Sequence, residues 1–373
     1  MQKRILFLMS DTGGGHRASA KAIKEAIDHL HPHKYDIWIE DIWQHHTCWP
    51  FNAIPRTYSW LTGPGLPVWK AMWRVSHFPY VQRATFNFIT PLIIPGVARY
   101  FRAVKPDLIV SVHPLMNHLG LKGLKQAGLD VPFITVVTDL VTIHPAWICP
   151  RVTHCIVPTE AARRHALKYG MPAAKLAVYG QPVSLKFAHL KADKQTLRRQ
   201  LGLEPNRQTV LIVGGGEGFG QVGDIARQIA RTVPQAQLVI VTGRNQILKA
   251  KLEATPWEIP IHLYGFVENM PELMRASDVL ITKAGPGTIS EAFIAGLPPV
   301  ISGFIPGQES GNVAYVQDNQ AGAYADTPDR IAEVVLDWLR PDNAILQQVT
   351  QNAARLARPQ ASLEIAMDLC QYV

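Results

Sequence analysis

Asp278 to Asn312 read DVLITKAGPGTISEAFIAGLPPVISGFIPGQESGN. An apolar, β-branched run, Val279 to Ile281, leads to Lys283 and the glycine-rich Gly285-Pro286-Gly287-Thr288. Glu291 to Ala295 has helical character, and Gly296 ends it. A second apolar run, Pro299 to Ile301, then opens into Pro306-Gly307-Gln308-Glu309. The stretch reads as strand, phosphate turn, helix, strand and polar loop.

Glycines let backbone approach a ligand closely, and N–H groups at a helix start, with the helix dipole behind them, attract an anion. A diphosphate fits such a turn without a metal. Glu291 lies one turn into the helix, and Gln308 and Glu309 follow the next strand. All three project from the end of a parallel sheet where open α/β folds bind ligands. Carboxylates and amides there suit the vicinal hydroxyls of a ribose or hexose. Alone, Gly-Pro-Gly-Thr is equally a tight turn capped by Thr288; Lys283, Glu291, Gln308 and Glu309 together turn the reading toward a ligand site.

At 373 residues, 47% of them apolar, the chain is long enough for two domains and has the composition of a globular enzyme. Cys48, Cys149, Cys155 and Cys370 are scattered without a C-x-x-C pair, which argues for a reducing compartment and buried thiols and against zinc. MQKRILFLMSD has too few apolar residues for a signal peptide or anchor and reads as a first strand. No later apolar run approaches the roughly 20 residues that cross a bilayer.

The net charge of +8 is unevenly placed: residues 1–180 carry 20 Lys and Arg against 10 Asp and Glu, the remainder 17 against 19. Between Asp41 and Asp107 there is no acidic residue, while seven basic residues and five of the nine tryptophans fall there. If residues 66–74 are helical, Trp69 and Trp73 meet at i, i+4 with Lys70 and Arg74 one step round. Tryptophan with basic side chains suits the headgroup region of an anionic bilayer. The bland reading is an aromatic packing cluster with a solvated basic face. Nucleic-acid binding fits the charge but has no module signature.

The chain also begins as strand, glycine turn and helix: Arg4 to Met9, Ser10-Asp11-Thr12-Gly13-Gly14-Gly15-His16, then apolar positions from Ala18 to Leu30. Gly13-x-Gly15-x-x-Ala18, with Glu40 or Asp41 after the next strand, fits a dinucleotide fingerprint, a weak match when alone. His16 points elsewhere, because it puts a titratable ring where dehydrogenases need close backbone approach. Strands ending at His113-Pro114, Thr138-Asp139 and Thr159-Glu160 deliver polar pairs to one sheet end. A polar, Lys-rich segment from Lys186 to Arg199 reads as linker and first helix of a second half, where strand-turn-helix restarts at Thr209 with Gly214-Gly215-Gly216-Glu217. From Asp329 onward the chain reads as helical, with a break near Pro341.

TKAGPGTISEAFIAGLP followed by IPGQESGNVAYV resembles the C-terminal half of the monogalactosyldiacylglycerol synthases, which share a glycosyltransferase family with the lipid II-forming N-acetylglucosaminyltransferase. SDTGGGHRASA, Asp41-x-Trp43 through Trp49-Pro50-Phe51-Asn52, SVHPLMNH, TDLVTIHPAW and GQPV resemble the N-terminal half, in order and over essentially the whole chain. The resemblance implies an α/β GT-B fold: two Rossmann-like domains with parallel sheets facing a central cleft. We expect an acceptor- and membrane-binding domain over 1–183, a UDP-sugar domain over 184–345, and a C-terminal helix, 346–373, packing back on the first.

The resemblance implies an inverting transfer of hexose, galactose before glucose, from UDP-sugar to the sn-3 hydroxyl of 1,2-diacylglycerol, giving a β-monoglycosyldiacylglycerol. It places the uracil on Phe266 and Val267, the ribose on Glu291 and the hexose on Gln308 and Glu309. The diphosphate falls to Gly285, Gly287, Thr288 and the loop with Gly214, Gly215, Gly216 and Glu217, and Lys283 stands where a cation neutralises the leaving UDP. His16 is the expected base, with Asp139 second, as base or as orienter of a histidine. Gly14, Gly15, Trp49, Pro50, Trp69, Trp73, Arg74, His113 and His144 are assigned to acceptor or membrane contact. Neither a metal nor a cofactor is expected, since no Asp-x-Asp pair is present. The expected partners are UDP-hexose, diacylglycerol and an anionic membrane surface, with the enzyme peripheral on the inner face of the cell membrane; the absence of a transit extension points to a bacterial enzyme. Gln320 departs from the relatives, which commonly have glycine there. Two other functions fit the same motifs less well: a UDP-sugar 2-epimerase of GT-B fold, which needs no tryptophan-rich basic surface, and transfer to a polyprenyl-linked acceptor. A non-catalytic membrane-binding or sugar-nucleotide-sensing module is a third, and it would release no UDP.

Overall fold

The computed structural model describes residues 2–214, 221–341 and 344–373. It divides into two compact units. The first runs to Leu185 and includes Pro306–Gly311 and Gln360–Val373; the second comprises Lys186–Ile305 and Asn312–Pro359.

The first unit is built on six parallel strands: β1 (Lys3–Met9), β2 (Tyr35–Asp41), β3 (Leu108–Ser111), β4 (Phe133–Val136), β5 (His154–Val157) and β6 (Leu176–Val178), in the order β2-β1-β3-β4-β5-β6. Leu6 and Leu8 of β1 face one apolar layer with Ile109 and Phe133, while Ile5, Phe7 and Met9 face the other with Val110 and Ile134. Burial on both faces is why β1 reads as an unbroken apolar run. Because β1 lies between β2 and β3, the chain steps to one side after β1 and to the other at β3. The ends of β1 and β3 therefore form a topological switch point, where loops diverge and leave room for a ligand.

The acid-free window folds as helices Ile42–His46, Ile54–Leu61, Leu66–Ser76 and Pro79–Val104. Gly96 lies so close to the His46 carbonyl that an added Cβ would sit 2.2 Å from its oxygen, so this crossing needs glycine. At the other end of the chain, helix Ala361–Leu369 is tied to the first unit by Ser362, whose hydroxyl accepts from Val183 N–H at 3.0 Å and donates to Val183 O at 2.6 Å.

The second unit repeats the plan with β7 (Thr209–Val213), β8 (Gln237–Val241), β9 (Ile261–Tyr264), β10 (Val279–Lys283), β11 (Pro299–Gly303) and β12 (Ala323–Tyr324), all parallel, in the order β12-β11-β10-β7-β8-β9. Val210 and Ile212 face one layer, Leu211 and Val213 the other. Here the switch point lies between β7 and β10. Helix Pro286–Ala295 starts at Pro286, so the tetrapeptide read as a turn is the helix's own first turn. Proline is at home there because it lacks an N–H that the helix could not satisfy. β6 and β12, of three and two residues, are too short to carry a readable period. Gln320 follows helix Ser310–Asp318 with φ 50°, a left-handed conformation that explains why glycine suits this position.

Candidate active site

In the first unit, β1 ends at a turn whose Gly13 and Gly14 have φ of 87° and 79°, values that only glycine adopts readily. The turn feeds helix Gly15–Leu30 and puts His16 in its first turn. Arg17 grips Asp11 through two bonds of 2.7 and 2.6 Å and holds the turn from behind. His16 Nδ1 lies 2.9 Å from the Thr138 hydroxyl, at the end of β4. The His113 ring, beyond β3, meets the His16 ring edge-on at 4.7 Å. Burial pushes the His16 pKa down to about 4, against a hydrogen bond that the ring donates to the Val112 carbonyl and the charge of Asp11, which raise it. Burial, with His16 adding to it, also holds His113 well below its ordinary value. Both rings are therefore neutral at pH 7.

Asp139 takes a different position from that of a histidine's orienter. Its Oδ2 accepts from Trp147 Nε1–H at 2.6 Å and its Oδ1 from Gln308 Nε2–H at 3.5 Å, while the oxygen that meets His16 is that of Thr138. Burial pushes the Asp139 pKa up to about 6; the bonds from Trp147 and Gln308 lower it and Glu309 raises it. Gln308 Oε1 in turn accepts from Tyr58 O–H at 3.0 Å. Glu40 and Asp41, the carboxylates a dinucleotide would need, are engaged otherwise: Glu40 by His45 and His46, and buried Asp41 by the N–H groups of Asp11 and Gln44.

Trp69 and Trp73 pair as the helical spacing predicts, with ring centroids 5.5 Å apart, but turn inward. Trp69 Nε1–H donates to Pro306 O at 3.1 Å. Trp73 packs edge-on to His144 at 4.8 Å, and His144 Nε2 lies 2.9 Å from the Ser76 hydroxyl. Burial, with help from His77, pushes the His144 pKa down to about 3. The side chains this insert turns to solvent are others: Trp49 is 80% exposed, Met72 52% and Phe88 70%, together with Trp60, Val68 and Val75. Arg56, Lys70, Arg74 and Arg83 are exposed among them, and Pro50 lies in the turn beside Trp49.

In the second unit, Lys283 ends β10, and buried Asn312 holds the next residue by donating from Nδ2 to Ala284 O at 2.8 Å. The first intrahelical bond runs from Ile289 N–H to Gly285 O at 3.0 Å. The N–H groups of Gly287 and Thr288 precede it and point out of the helix end. A Cβ on Gly287 would meet nothing within 4 Å, so its backbone faces open space. Lys283 Nζ and Thr288 Oγ1 each lie 3.9 Å from where a Gly285 Cβ would stand, which places a cation and a hydroxyl beside the same turn. Glu291 keeps some exposed surface, but its carboxyl end is enclosed by protein, which pushes its pKa up to about 7. Phe266 is 62% exposed, with the Arg244 guanidinium 5.4 Å over its ring, and Val267 is half-buried against the layer of Leu211 and Leu280. Gly214 donates to Val241 O at 3.3 Å; Gly215, Gly216 and Glu217 lie outside the described residues.

Residues 16–183 match the family model described as monogalactosyldiacylglycerol (MGDG) synthase, and residues 209–364 the glycosyltransferase family 28 C-terminal domain. Monogalactosyldiacylglycerol synthase 1, chloroplastic, of Arabidopsis thaliana is 42% identical over 388 residues, covering 100% of this chain and 71% of that protein. The chain belongs to the monogalactosyldiacylglycerol synthase family. The Spinacia oleracea member, also chloroplastic, is 42% identical over 100% of this chain and 73% of its own. Among solved structures, Acinetobacter baumannii MurG superposes with a TM-score of 0.62 at 16% identity, covering 99% of each chain. That likeness and the two parallel six-stranded sheets show the GT-B fold, and membership of the synthase family makes the chain a glycosyltransferase.

The contacts that several residues of these clusters make carry no signal in the sequence. Thr138 and Trp147 lie in segments that resemble the family, yet a threonine and a tryptophan announce no contact with His16 or Asp139. Tyr58 is one aromatic residue among many in the insert, and Arg244 has only its place after β8 to recommend it.

Proposed function

We propose that the protein transfers galactose from UDP-galactose to the sn-3 hydroxyl of 1,2-diacylglycerol with inversion, at the surface of an anionic membrane. The observation that carries this reading is that both switch points are equipped, each for one half of the reaction. At the second, the N–H groups of Gly287 and Thr288 receive the diphosphate with Lys283 beside them, Glu291 takes ribose hydroxyls, and Phe266 with Val267 flanks the uracil. At the first, His16 stands ready as proton acceptor, and Gln308 and Glu309 take the hexose.

Transfer is one displacement. The acceptor oxygen bonds to C1 as the bond from C1 to the diphosphate oxygen breaks, the hydroxyl proton passes to His16, and the electron pair leaves with UDP. Burial keeps His16 unprotonated above about pH 4, so the ring is free of a proton throughout the physiological range, while the Val112 carbonyl and the charge of Asp11 act in favour of the protonated form. Lys283 and the helix start meet the charge that develops on UDP without a metal. Asp139, ionised above pH 6, holds the Gln308 amide. The exposed apolar and basic residues of the insert give the enzyme its hold on lipid, rings and aliphatic groups at the interface and cations at phosphates. Among the described residues no helix is long and apolar enough to cross a membrane.

UDP release tests the proposal. With diacylglycerol in micelles, UDP-galactose should release UDP faster than UDP-glucose does, equally in EDTA, and neither should release it without the lipid. Release that is independent of diacylglycerol, or conversion of UDP-hexose to a 2-epimer, refutes it.

A further inference from the structure

The insert does more than present a greasy surface, because the segment Pro306–Gly311 is seated on it. Trp69 Nε1–H holds Pro306 O at 3.1 Å. Gly307, with φ 87°, lies against Trp73 so closely that a Cβ there would sit 2.3 Å from Nε1. Its N–H donates to Ser310 Oγ at 2.9 Å. Tyr58 also reaches Gln308: its ring lies against the glycine turn, 3.1 Å from where a Gly13 Cβ would stand, and edge-on to Trp69 at 5.7 Å.

An amide has two unlike ends, a carbonyl that only accepts and an NH2 that only donates. The Asp139 carboxylate, an acceptor, takes the Nε2 end of Gln308, and the Tyr58 hydroxyl donates to Oε1. The polarity of the amide is thereby set before any sugar arrives, which leaves one N–H and one lone pair of known direction. Galactose and glucose differ in the orientation of a single hydroxyl. A site distinguishes such a pair only if its hydrogen-bonding groups cannot rotate to suit both.

We propose that Tyr58 is a positioning residue for hexose recognition: it fixes the Gln308 amide, so the aromatic insert that meets lipid also builds the selectivity for the donor sugar. This rests on the reading in which Gln308 meets the hexose. Tyr58→Phe keeps the ring against Gly13 and Trp69 and removes only the hydroxyl.

Calorimetric binding of UDP, UDP-galactose and UDP-glucose to the full chain, as wild type, Y58F, Q308A and the double variant, tests it. In Y58F the affinity for UDP-galactose should fall about fivefold, the effect of one neutral hydrogen bond. The preference over UDP-glucose should narrow and the affinity for UDP should stay unchanged. In the Q308A background, Y58F should add nothing, since the two residues act through one contact. Unchanged UDP-galactose binding in Y58F, an equal loss of UDP binding, or a full additional loss on top of Q308A overturns the proposal. If Q308A itself leaves UDP-galactose binding untouched, the assignment of Gln308 to the hexose fails, and the role of Tyr58 fails with it.

Discussion

Replacing Asp139 with asparagine should stabilise the protein at pH 7 while impairing the enzyme. The carboxyl is enclosed, and its pKa in the folded chain, about 6, stands above the ordinary 3.8. The folded state therefore binds this proton more tightly than the unfolded state does. Above pH 6 the group is ionised in both states, and the folded chain bears the full penalty of a desolvated charge, net of the bonds from Trp147 and Gln308. Each pKa unit corresponds to about 1.4 kcal/mol, so the penalty amounts to about 3 kcal/mol. As pH falls from 6 toward 4 the folded carboxyl takes up its proton first and the penalty disappears. Asparagine keeps the size and an acceptor for Trp147 Nε1–H and carries no charge. Urea unfolding of wild type and D139N at pH 4, 5, 6 and 7 reads the difference directly. D139N should be the more stable by up to about 3 kcal/mol at pH 7, with the gap closing near pH 4. A gap that is absent at pH 7, or that widens on acidification, refutes the account of this carboxyl.

His16→Asn should leave UDP binding intact and lower turnover by about 10²- to 10⁴-fold, the range for losing a general base; single-turnover kinetics with pre-bound donor check it. UDP affinity should weaken as pH falls below about 7, where Glu291 takes up its proton and loses a hydrogen-bond acceptor for ribose; E291Q should bind UDP more weakly with no such dependence, by calorimetry between pH 6 and 8. Sedimentation with anionic vesicles should fall when Met72 or Phe88 is changed to aspartate, and salt should weaken it for the wild type. Changing Gln320 to glycine should relieve left-handed backbone strain and raise stability by about 1 kcal/mol, measured by denaturant unfolding.

The parallel sheets were legible because buried strands leave continuous apolar runs: the run ending at Met9 and those of β7 and β10 announce themselves. The segments that follow them, from Gly13 to His16 and from Lys283 to Thr288, are legible for the related reason that glycine at a strand end has few other uses. Where packing alone decides, the sequence is silent. Trp69 and Trp73 look like surface anchors because nothing in their spacing says that Pro306 and Gly307 will lie over them, some 230 residues downstream. Tyr58 was invisible for the same reason, since it acts through a partner distant in the chain. The polar pair Thr138-Asp139 was found, yet which member faces His16 depends on the strand end's orientation, which composition does not encode.

The anomeric configuration of the product tests the central claim most directly. Diacylglycerol in anionic vesicles and UDP-galactose, in which the sugar is α-linked, are incubated with the protein, and the C1 proton coupling of the lipid product is read by NMR. A β-linked galactose on the sn-3 oxygen is the predicted result. An α-linked product, or galactose appearing in water and not on lipid, contradicts a single displacement at C1 by the lipid hydroxyl.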